Sequence, residues 1–352
     1  MHCMLMQIQY NEPDGKEETA MGELAYEQIM NQAKERLLTA SPKEILSWTP
    51  QQLKRAIIKS EGRTIMGYGR VRAANLIDYV CNPELVAAFG ADIVLVNCFD
   101  MNDPIIPGLN SKDLSQDEAT RQIQVPLGKG YSLKELRELI GRPVGVLLVA
   151  TPGEADDRGQ VFSYGEVKAT VANALKAVES GADLLNILGW GDTESLVKTI
   201  KEIKEAVKDK ALIGFFRPHG PGLMGVGGKT GADLVGEEEV VAAIEAGADI
   251  IGIPAPGAHY GWSVEKCTRL VDLIHEHGAV ASVGIHTSQE GSDEDTIRQI
   301  ALWAKMTGAD MHELGDIGYN ECMVLPENIL TYGVAIRGRR HQYRRMAMSI
   351  NR

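Results

Sequence analysis

Eight polar side chains follow apolar, strand-like runs of the sequence, and their types suit acid–base chemistry. They are Asn97, Asp100, Asn186, Arg217, His219, His286, Glu313 and Asp316. Histidine titrates near neutral pH, so each of the two histidines is a candidate general acid or base. Carboxylates can act as bases or bind divalent cations, and arginine can hold a carboxylate or phosphate through two hydrogen bonds. This set predicts a site that moves a proton and stabilises a developing negative charge.

The residue types suggest a role for each candidate. His219 or Glu313 would move the proton. Arg217, His286 or a divalent cation would stabilise the oxygen of an enolate, and the cation would be Mg²⁺ or Mn²⁺ bound by Glu313 and Asp316. The candidate catalytic residues are Arg217, His219, Glu313 and Asp316. The candidate substrate-binding residues among the eight are Asn97, Asp100, Asn186 and His286.

A polar loop and a helix separate the last two of the apolar runs. The loop carries hydroxyl and amide groups that we expect to contact substrate: Thr287, Ser288 and Gln289. Ser292 occupies the position expected of an N-cap, with Asp295 as its partner, and predicts a helix over 293–306. Such loops and helix starts often bind phosphate, although Glu290 is unfavourable for an anion.

Eight apolar runs of strand length alternate with helical patterns. The predicted strands are 64–69, 92–97, 143–150, 183–188, 211–216, 249–254, 279–285 and 310–315. Four helices end in Gly-Ala-Asp directly before a strand, at Gly90, Gly181, Gly247 and Gly308, where glycine supplies a left-handed C-cap. Eight such units over roughly 250 residues are typical of an α/β (β/α)8 TIM barrel, with its site at the carboxyl ends of the strands. The alternative is a doubly wound open sheet.

Alternation along each strand indicates which side chains face the barrel interior. Arg217 and His219 continue one face of strand 211–216, and their polar character predicts that this face points inward. Polar residues in the other strands are assigned to the interior in the same way: Asn97, Asn186 and Glu313.

Helical segments precede the first predicted strand. Residues 1–60 are predicted as an N-terminal arm and helices that cover the bottom of the barrel. Two of these helices begin at Ser41-Pro42 and Thr49-Pro50, where the hydroxyl caps the helix and proline fits its first position. Residues 61–352 are predicted as the barrel with a C-terminal helix. That helix ends in an arginine-rich segment, whose side chains would contact acidic groups of the same or a neighbouring subunit, or solvent.

The loops indicate which cofactors and which type of catalysis to expect. Two long loops, about 98–132 and 151–165, would lie over the site as lids or binding segments. Gly220-x-Gly222-x-x-Gly225 matches a dinucleotide-binding pattern, but Pro221 interrupts it and no helix begins there, so no nucleotide cofactor is expected. The amides of this loop could instead bind an anion. No lysine ends a predicted strand, which argues against Schiff-base chemistry.

Composition and net charge indicate which binding partners and which compartment to expect. The 352-residue chain has a net charge of −12, so we expect neither nucleic acid nor a membrane surface as a partner. Five scattered cysteines without metal-binding spacing indicate a reducing cytosol. The first residues lack the pattern of a signal peptide. We therefore expect a cytoplasmic homo-oligomer that binds a small molecule.

Several segments resemble an uncharacterised bacterial family of TIM-barrel proteins, some of which carry a haloacid-dehalogenase-like label. They are SEGRT (60–64), GADIVLVNCFD (90–100), TSQEG (287–291), DEDTIRQIALWAKMTGAD (293–310), GDIGY (315–319) and LPENILTYGVAIRGRRHQYRRMA (325–347). The resemblance implies a barrel that acts on a sugar or sugar phosphate, because members accompany sugar-uptake genes. Relatives are expected to carry Lys-Met-His where this chain has Arg217-Pro218-His219. The chain is more weakly similar to the phosphoenolpyruvate mutase and isocitrate lyase barrels.

These features predict a lyase or isomerase that works through an enolate. Its substrate would be a small, phosphorylated sugar or keto acid. Two alternatives stay open: a non-catalytic sugar-phosphate sensor, and a hydrolase that uses two carboxylates, Glu313 and Asp100.

Overall fold

The computed structural model describes residues 35–118, 125–151, 167–218, 231–319 and 321–352. Several predicted features lie outside these residues: His219, most of the loop 151–165, the glycine-rich motif at 220–225 and residues 1–34 of the predicted N-terminal arm and helices.

Helices and strands alternate along the described chain. The helices are α1 Pro42–Leu46, α2 Pro50–Ile58, α3 Asn82–Ala88, α4 Ser115–Glu118, α5 Leu133–Ile140, α6 Val171–Ser180, α7 Thr193–Val207, α8 Glu237–Glu245, α9 Val264–Glu276, α10 Glu294–Met306 and α11 Pro326–Ala347. The strands are β1 Thr64–Arg70, β2 Ile93–Asn97, β3 Val144–Ala150, β4 Val167–Lys168, β5 Leu184–Gly189, β6 Leu212–Phe216, β7 Ile250–Pro254, β8 Val280–Ile285 and β9 Met311–Leu314.

Eight of these strands form a closed parallel barrel. Neighbours pair in the order β1, β2, β3, β5, β6, β7, β8 and β9, and β9 pairs with β1 to close the ring. The short β4 pairs with the end of β3. The predicted (β/α)8 barrel is confirmed, and closure rules out the open sheet. Each barrel strand lies within one residue of its predicted bounds.

Two apolar layers flank the barrel wall. The inner layer contains Met66, Leu212 and Phe216 and continues into Leu53 and Ile57 of α2. Helix α2 therefore closes the floor of the barrel at the amino ends of the strands. The outer layer packs the other face of each strand against the surrounding helices, as the alternation of side chains along a strand requires. Pro42 and Pro50 begin α1 and α2 behind capping boxes, as predicted.

The four Gly-Ala-Asp segments form the same contact at the amino end of the barrel. Each glycine has a positive φ, between 84° and 108°, that few other residues adopt. Each aspartate accepts a hydrogen bond from a backbone N–H in the preceding barrel strand, and each also contacts a basic side chain. The four aspartates are Asp92, Asp183, Asp249 and Asp310. The repeat therefore fixes the start of alternate barrel strands.

Helix α11 is tied to the barrel floor by two of its arginines. Arg337 and Arg345 both pair with Asp92, and all three side chains are buried. The helix changes direction at Gly338, whose φ of 73° is not helical. For these two arginines, the prediction that they contact acidic groups of the same chain is confirmed. Within the described ranges, no helix is long and apolar enough to cross a membrane.

Candidate active site at the carboxyl ends of the strands

A carboxylate, a phenol and an amide meet inside the barrel near the carboxyl ends of the strands. Glu313 of β9 points inward, and its Oε2 accepts a hydrogen bond of 2.7 Å from the Tyr68 hydroxyl of β1. The Tyr68 oxygen in turn accepts a hydrogen bond of 2.9 Å from Asn186 Nδ2 of β5. Three strands that are distant in sequence thus hold one carboxylate in place.

His286 lies over this carboxylate, directly after β8. Its Nε2 is 3.4 Å from Glu313 Oε2, and its side chain is 12% exposed against 2% for Glu313. The imidazole is stacked on Phe216, with ring centroids 5.3 Å apart, and meets the edge of the Tyr68 ring at 5.0 Å. The imidazole is therefore the outermost group of the network, with the carboxylate beneath it.

Two glycines make room for this pair. A Cβ on Gly284 would lie 2.6 Å from His286 Nε2, and a Cβ on Gly252 would lie 3.2 Å from Glu313 Oε1. Both glycines face the interior, on β8 and β7. No larger side chain fits at Gly284 while the imidazole keeps its position.

The environment keeps Glu313 ionised and Tyr68 neutral. Burial raises the pKa of Glu313, but the adjacent imidazole of His286 and the hydrogen bond from Tyr68 outweigh burial and hold the pKa below its ordinary value. Burial and the charge of Glu313 raise the pKa of Tyr68 well above its usual value. Near neutral pH the pair is a carboxylate that accepts a hydrogen bond from a phenol.

A second polar group lies beside the first. Asp316, just beyond β9, accepts a hydrogen bond of 3.0 Å from Asn97 Nδ2 and lies 3.4 Å from Arg70 Nε. Arg70 also pairs with Glu321 at 2.6 Å. The predicted inward direction of Asn97 brings it to Asp316.

Asp100 lies in a different contact group. Its Oδ2 is 3.7 Å from Arg72 Nη2, and its Oδ1 accepts the backbone N–H of Asn102. Arg72 also contacts Asp103. Asp100 therefore serves a turn and an ion pair after β2.

Arg217 does not point into the barrel, so the predicted inward face of this strand is wrong. Phe216 belongs to the inner layer, whereas Ile213 and Phe215 belong to the outer one. Arg217 follows the outer face, forms a buried ion pair with Glu239 of α8 and donates to the carbonyl of Gly189 at 3.2 Å. The charged side chain of Arg217 is needed for these two contacts, which join β6 to β5 and to α8. His219, the other residue assigned to that face, lies outside the described residues.

The loop after β8 is held by a hydrogen bond to the loop after β7 and by a contact within itself. Thr287 Oγ1 donates to the Ala258 carbonyl at 2.7 Å and contacts Gln289, whereas Ser288 is exposed. Contact of these three residues with substrate stays a prediction. The predicted Ser292 cap is wrong by one residue. Asp293 accepts from the Thr296 N–H, and Ser292 instead caps the end of a short 3₁₀ turn, Ser288–Gly291.

Glu290 in the same loop is a buried carboxyl. Burial and the nearby charge of Asp316 raise the pKa of Glu290 well above its usual value, against the opposing effects of the Ile317 N–H and Arg70. Its Oε2 accepts from Ile317 N. A Cβ on Gly315 would lie 2.3 Å from Glu290 Oε1 and 2.8 Å from His286 Nδ1. Glu290 and the imidazole of His286 therefore both lie close to Gly315.

The metal prediction concerns Glu313 and Asp316. Both carboxylates already accept hydrogen bonds from protein donors. In the described ranges, no three His, Cys, Asp or Glu side chains are grouped to hold a metal ion. Binding of Mg²⁺ or Mn²⁺ by these two residues stays a prediction.

Three residues of the site were not predicted from the sequence: Tyr68, Arg70 and Phe216. Tyr68 stands in the run TIMGYGR, where the predicted alternation marks every second residue as inward. Tyr68 could have been predicted as a site residue, because this alternation places its phenol inside the barrel near the carboxyl end of β1. Phe216 was missed because the face of its strand was reversed.

Residues 38–352 match the family model described as Domain of unknown function (DUF7916), so the chain belongs to this family. No curated protein matches the sequence.

Solved structures with a similar fold include deoxyribose phosphate aldolase from Aeropyrum pernix (13% identity, 87% of this chain and 96% of that one, TM-score 0.37). A protein from Burkholderia cenocepacia J2315, provisionally named a lyase/mutase, is 14% identical over 88% of this chain and 92% of its own, with a TM-score of 0.42. GMP reductase from Trypanosoma brucei is 17% identical over 58% of this chain and only 35% of its own, with a TM-score of 0.32. Likenesses of this degree carry no argument about function.

Proposed function

We propose that this member of the DUF7916 family is a lyase or isomerase that works through an enolate, on a small, phosphorylated sugar or keto acid. One observation carries the proposal. The His286 imidazole lies at the open side of the network, with Nε2 3.4 Å from an inward-facing Glu313 carboxylate at the carboxyl ends of the barrel strands. Functional groups of TIM-barrel enzymes lie at this end.

His286 is the group that moves the proton. In an isomerase, the imidazole accepts the proton from the carbon next to the substrate carbonyl. In an aldolase-type lyase, it accepts the proton of the hydroxyl on the next carbon, and the carbon–carbon bond between them breaks to give the enolate. The resulting imidazolium then returns the proton to the enolate: at a different atom in an isomerase, or at the carbon that carried the broken carbon–carbon bond in a lyase. A positioned general acid–base group of this kind contributes about 10²–10⁴-fold to the rate.

Glu313 positions the imidazole and stabilises its charged form. The carboxylate is buried beneath the ring, held by Tyr68, and its pKa below the ordinary value keeps it ionised at neutral pH. A fixed negative charge under an imidazole favours the imidazolium that forms during proton transfer. This division of roles differs from the sequence-based hypothesis, in which Glu313 itself could move the proton.

The anionic group of the substrate would contact the arginines that end and follow β1. Arg70 is the last residue of β1, and Arg72 follows two residues later. Both lie at the carboxyl end of the barrel, and both pair with carboxylates of the same region. Arginine holds phosphate and carboxylate groups through paired hydrogen bonds, which supports a substrate of this class.

A second candidate function is a non-catalytic sugar-phosphate sensor. The deep burial of Glu313 and its hydrogen bond from Tyr68 favour it, because a rigid polar floor also suits binding without reaction. The two functions differ in whether a proton on carbon leaves the bound ligand. Asp100 lies with Arg72 and outside the Glu313 network, so the hydrolase alternative receives no support from the described contacts.

Proton exchange in D₂O tests the proposal directly. Sugar phosphates and keto acids would be incubated with metal-stripped protein, with and without Mg²⁺ or Mn²⁺, and the signal of the proton next to the carbonyl followed by ¹H NMR. We expect enzyme-dependent loss of this signal for at least one phosphorylated or keto-acid compound. A compound that stabilises the protein against heat and never exchanges would support the sensor instead. Absence of both binding and exchange across the panel would remove this substrate class.

A further inference from the structure

A strongly basic pocket lies at the opposite end of the molecule from His286. It lies between the segment that precedes α2 and the last turns of α11, at the floor of the barrel, and has a volume of about 770 Å³. Its walls include four arginines, Arg36, Arg340, Arg344 and Arg352, together with His341. Such a concentration of cations is unusual in a chain with a net charge of −12.

The helix geometry explains why these side chains face one space. Arg340, Arg344 and Ala347 are four and three residues apart on α11, so they share one face of the helix. That face packs toward residues 36–44, and Arg344 donates to the Thr39 carbonyl at 3.0 Å. The bend at Gly338 turns this half of the helix against the N-terminal segment.

Among the described residues that line the pocket, basic side chains outnumber acidic ones. Within the part of the chain that the structure describes, none of the four arginines forms an ion pair with an acidic side chain. Glu44 is the acidic side chain among the described lining residues, and it accepts from Ser41 N and Oγ at 2.8 Å as part of a capping box. The nearby Arg63 pairs with Glu61.

Two buried polar atoms of these side chains have no hydrogen-bond partner among the described residues: Arg36 Nε and His341 Nδ1. His341 Nε2 accepts from Arg340 at 3.2 Å, so the ring hydrogen is on Nδ1 and both atoms are donors. Burial and the positive charges of Arg340, Arg63, Arg36 and Arg344 lower the pKa of His341. An anion would accept from these donors and relieve the repulsion among the arginines.

We propose that this pocket binds a small, multiply charged anion, such as a diphosphate or a phosphorylated metabolite, at a site separate from the mouth of the barrel. The chemistry is recognition alone: fixed guanidinium groups and an imidazole N–H donate to phosphate or carboxylate oxygens. A volume of about 770 Å³ is in the range of small-molecule sites, and the four arginines in its wall favour an anionic ligand.

Binding of inorganic pyrophosphate to the full chain tests the site. Calorimetric titration at fixed low ionic strength would compare wild-type protein with Arg340→Ala, because Arg340 is exposed and donates a hydrogen bond to His341. Arg339→Ala is the matched control: the neighbouring arginine is also exposed, and it does not line the pocket. We expect Arg340→Ala to weaken pyrophosphate binding about tenfold or more, and the control to bind within about twofold of wild type.

Two further variants distinguish binding in this pocket from binding at the mouth of the barrel. Arg344→Gln should weaken binding in the same way, and circular dichroism would verify that each variant is folded. His286→Asn should leave pyrophosphate affinity unchanged. Loss of binding in His286→Asn, with retention in Arg340→Ala, would place the anion at the mouth and overturn the proposal. No pyrophosphate binding by the folded wild-type chain, or tight binding only to a DNA oligonucleotide, would overturn it as well.

Discussion

At the scale of single residues, the central feature is a buried carboxylate supplied with hydrogen-bond donors. Glu313 would be costly to bury as an anion, and the hydroxyl of Tyr68 with the imidazole of His286 offset this cost. Because Tyr68 is held neutral, its proton stays on the phenol and points at the carboxylate. The fixed charge is thus a product of neighbouring side chains from β1 and β8.

Replacement of Tyr68 by Phe should destabilise the protein by about 1.5–3 kcal/mol at neutral pH, because a buried carboxylate loses a donor. The pKa of Glu313 is lowered in the folded state, so its contribution is present above the unfolded value of about 4.3 and is lost as pH falls through the folded pKa. The difference between variant and wild type should therefore shrink below about pH 4. Urea unfolding across this pH range measures it. Tyr343→Phe, at an exposed position, is the control, and an equal loss in both variants would contradict the account.

For Glu290 we predict a pH dependence of stability opposite to that of Glu313. Its pKa is raised in the folded state, so the folded protein holds a proton that the unfolded chain releases, and this cost grows as pH rises above about 4.3. Glu290→Gln keeps an oxygen for the Ile317 N–H and removes the titration. The variant should melt a few degrees above wild type at pH 8 and close to it at pH 4, as measured by calorimetry. The exposed Glu205→Gln should show no such pH dependence, and a Glu290→Gln protein that melts lower at pH 8 would refute the assignment.

At the scale of elements, β7 and β8 carry glycines where the site needs space. The most constrained is Gly284, since an added Cβ would lie 2.6 Å from His286 Nε2 and 3.4 Å from Glu313 Cβ. The strand itself does not require glycine there, because the backbone of β8 is ordinary parallel sheet. The requirement comes from the imidazole that follows.

Gly284→Ala should therefore displace His286 and leave the barrel intact. A shift of about 1 Å in a catalytic group can lower a rate about 100-fold. The exchange rate in D₂O measures the effect, with circular dichroism as the test of folding. Gly236→Ala, where an added Cβ would meet nothing within 4 Å, is the matched control. Wild-type exchange by folded Gly284→Ala would contradict the position given to His286.

The helices and strands were predictable from the sequence, whereas some side-chain directions were not. Continuous apolar runs and the repeated Gly-Ala-Asp mark the buried parallel strands, because both faces of such strands are covered. The outward position of Arg217 was not predictable, since its partner Glu239 is on α8 and a strand pattern cannot show that an arginine is buried in an ion pair outside the barrel. The alternation of inward and outward side chains along each strand predicted that Glu313, His286 and Asn186 lie close together. The contact of Tyr68 with Glu313 could be seen only once β1 was known to pair with β9 and close the barrel.

At the scale of the whole molecule, the two ends of the barrel have different chemistry. The carboxyl ends hold the Glu313 network, and the amino ends hold the Gly-Ala-Asp repeat, the plug formed by α2 and the arginines of α11. Asp92 joins three of these parts, because it contacts β1, Arg337 and Arg345. The boundary between residues 1–60 and 61–352, the homo-oligomer and the cytoplasmic location stay predictions.

Asp92→Ala should cost about 3–5 kcal/mol, because it leaves two buried arginines without their carboxylate. Chemical denaturation at neutral pH measures the loss, and Asp209→Ala at an exposed position should be nearly neutral. Proteolysis would report release of α11 before the barrel unfolds. A loss no larger than that of the control would show that Asp92 does not hold the helix to the floor.

The claim that His286, held by Glu313, moves the proton is tested most directly by deuterium exchange in matched histidine variants. With a compound that wild-type protein exchanges, His286→Asn should lower the rate about 10²–10⁴-fold. His277→Asn, at the exposed end of α9, should exchange at the wild-type rate. A folded His286→Asn protein that still exchanges at the wild-type rate would contradict the account.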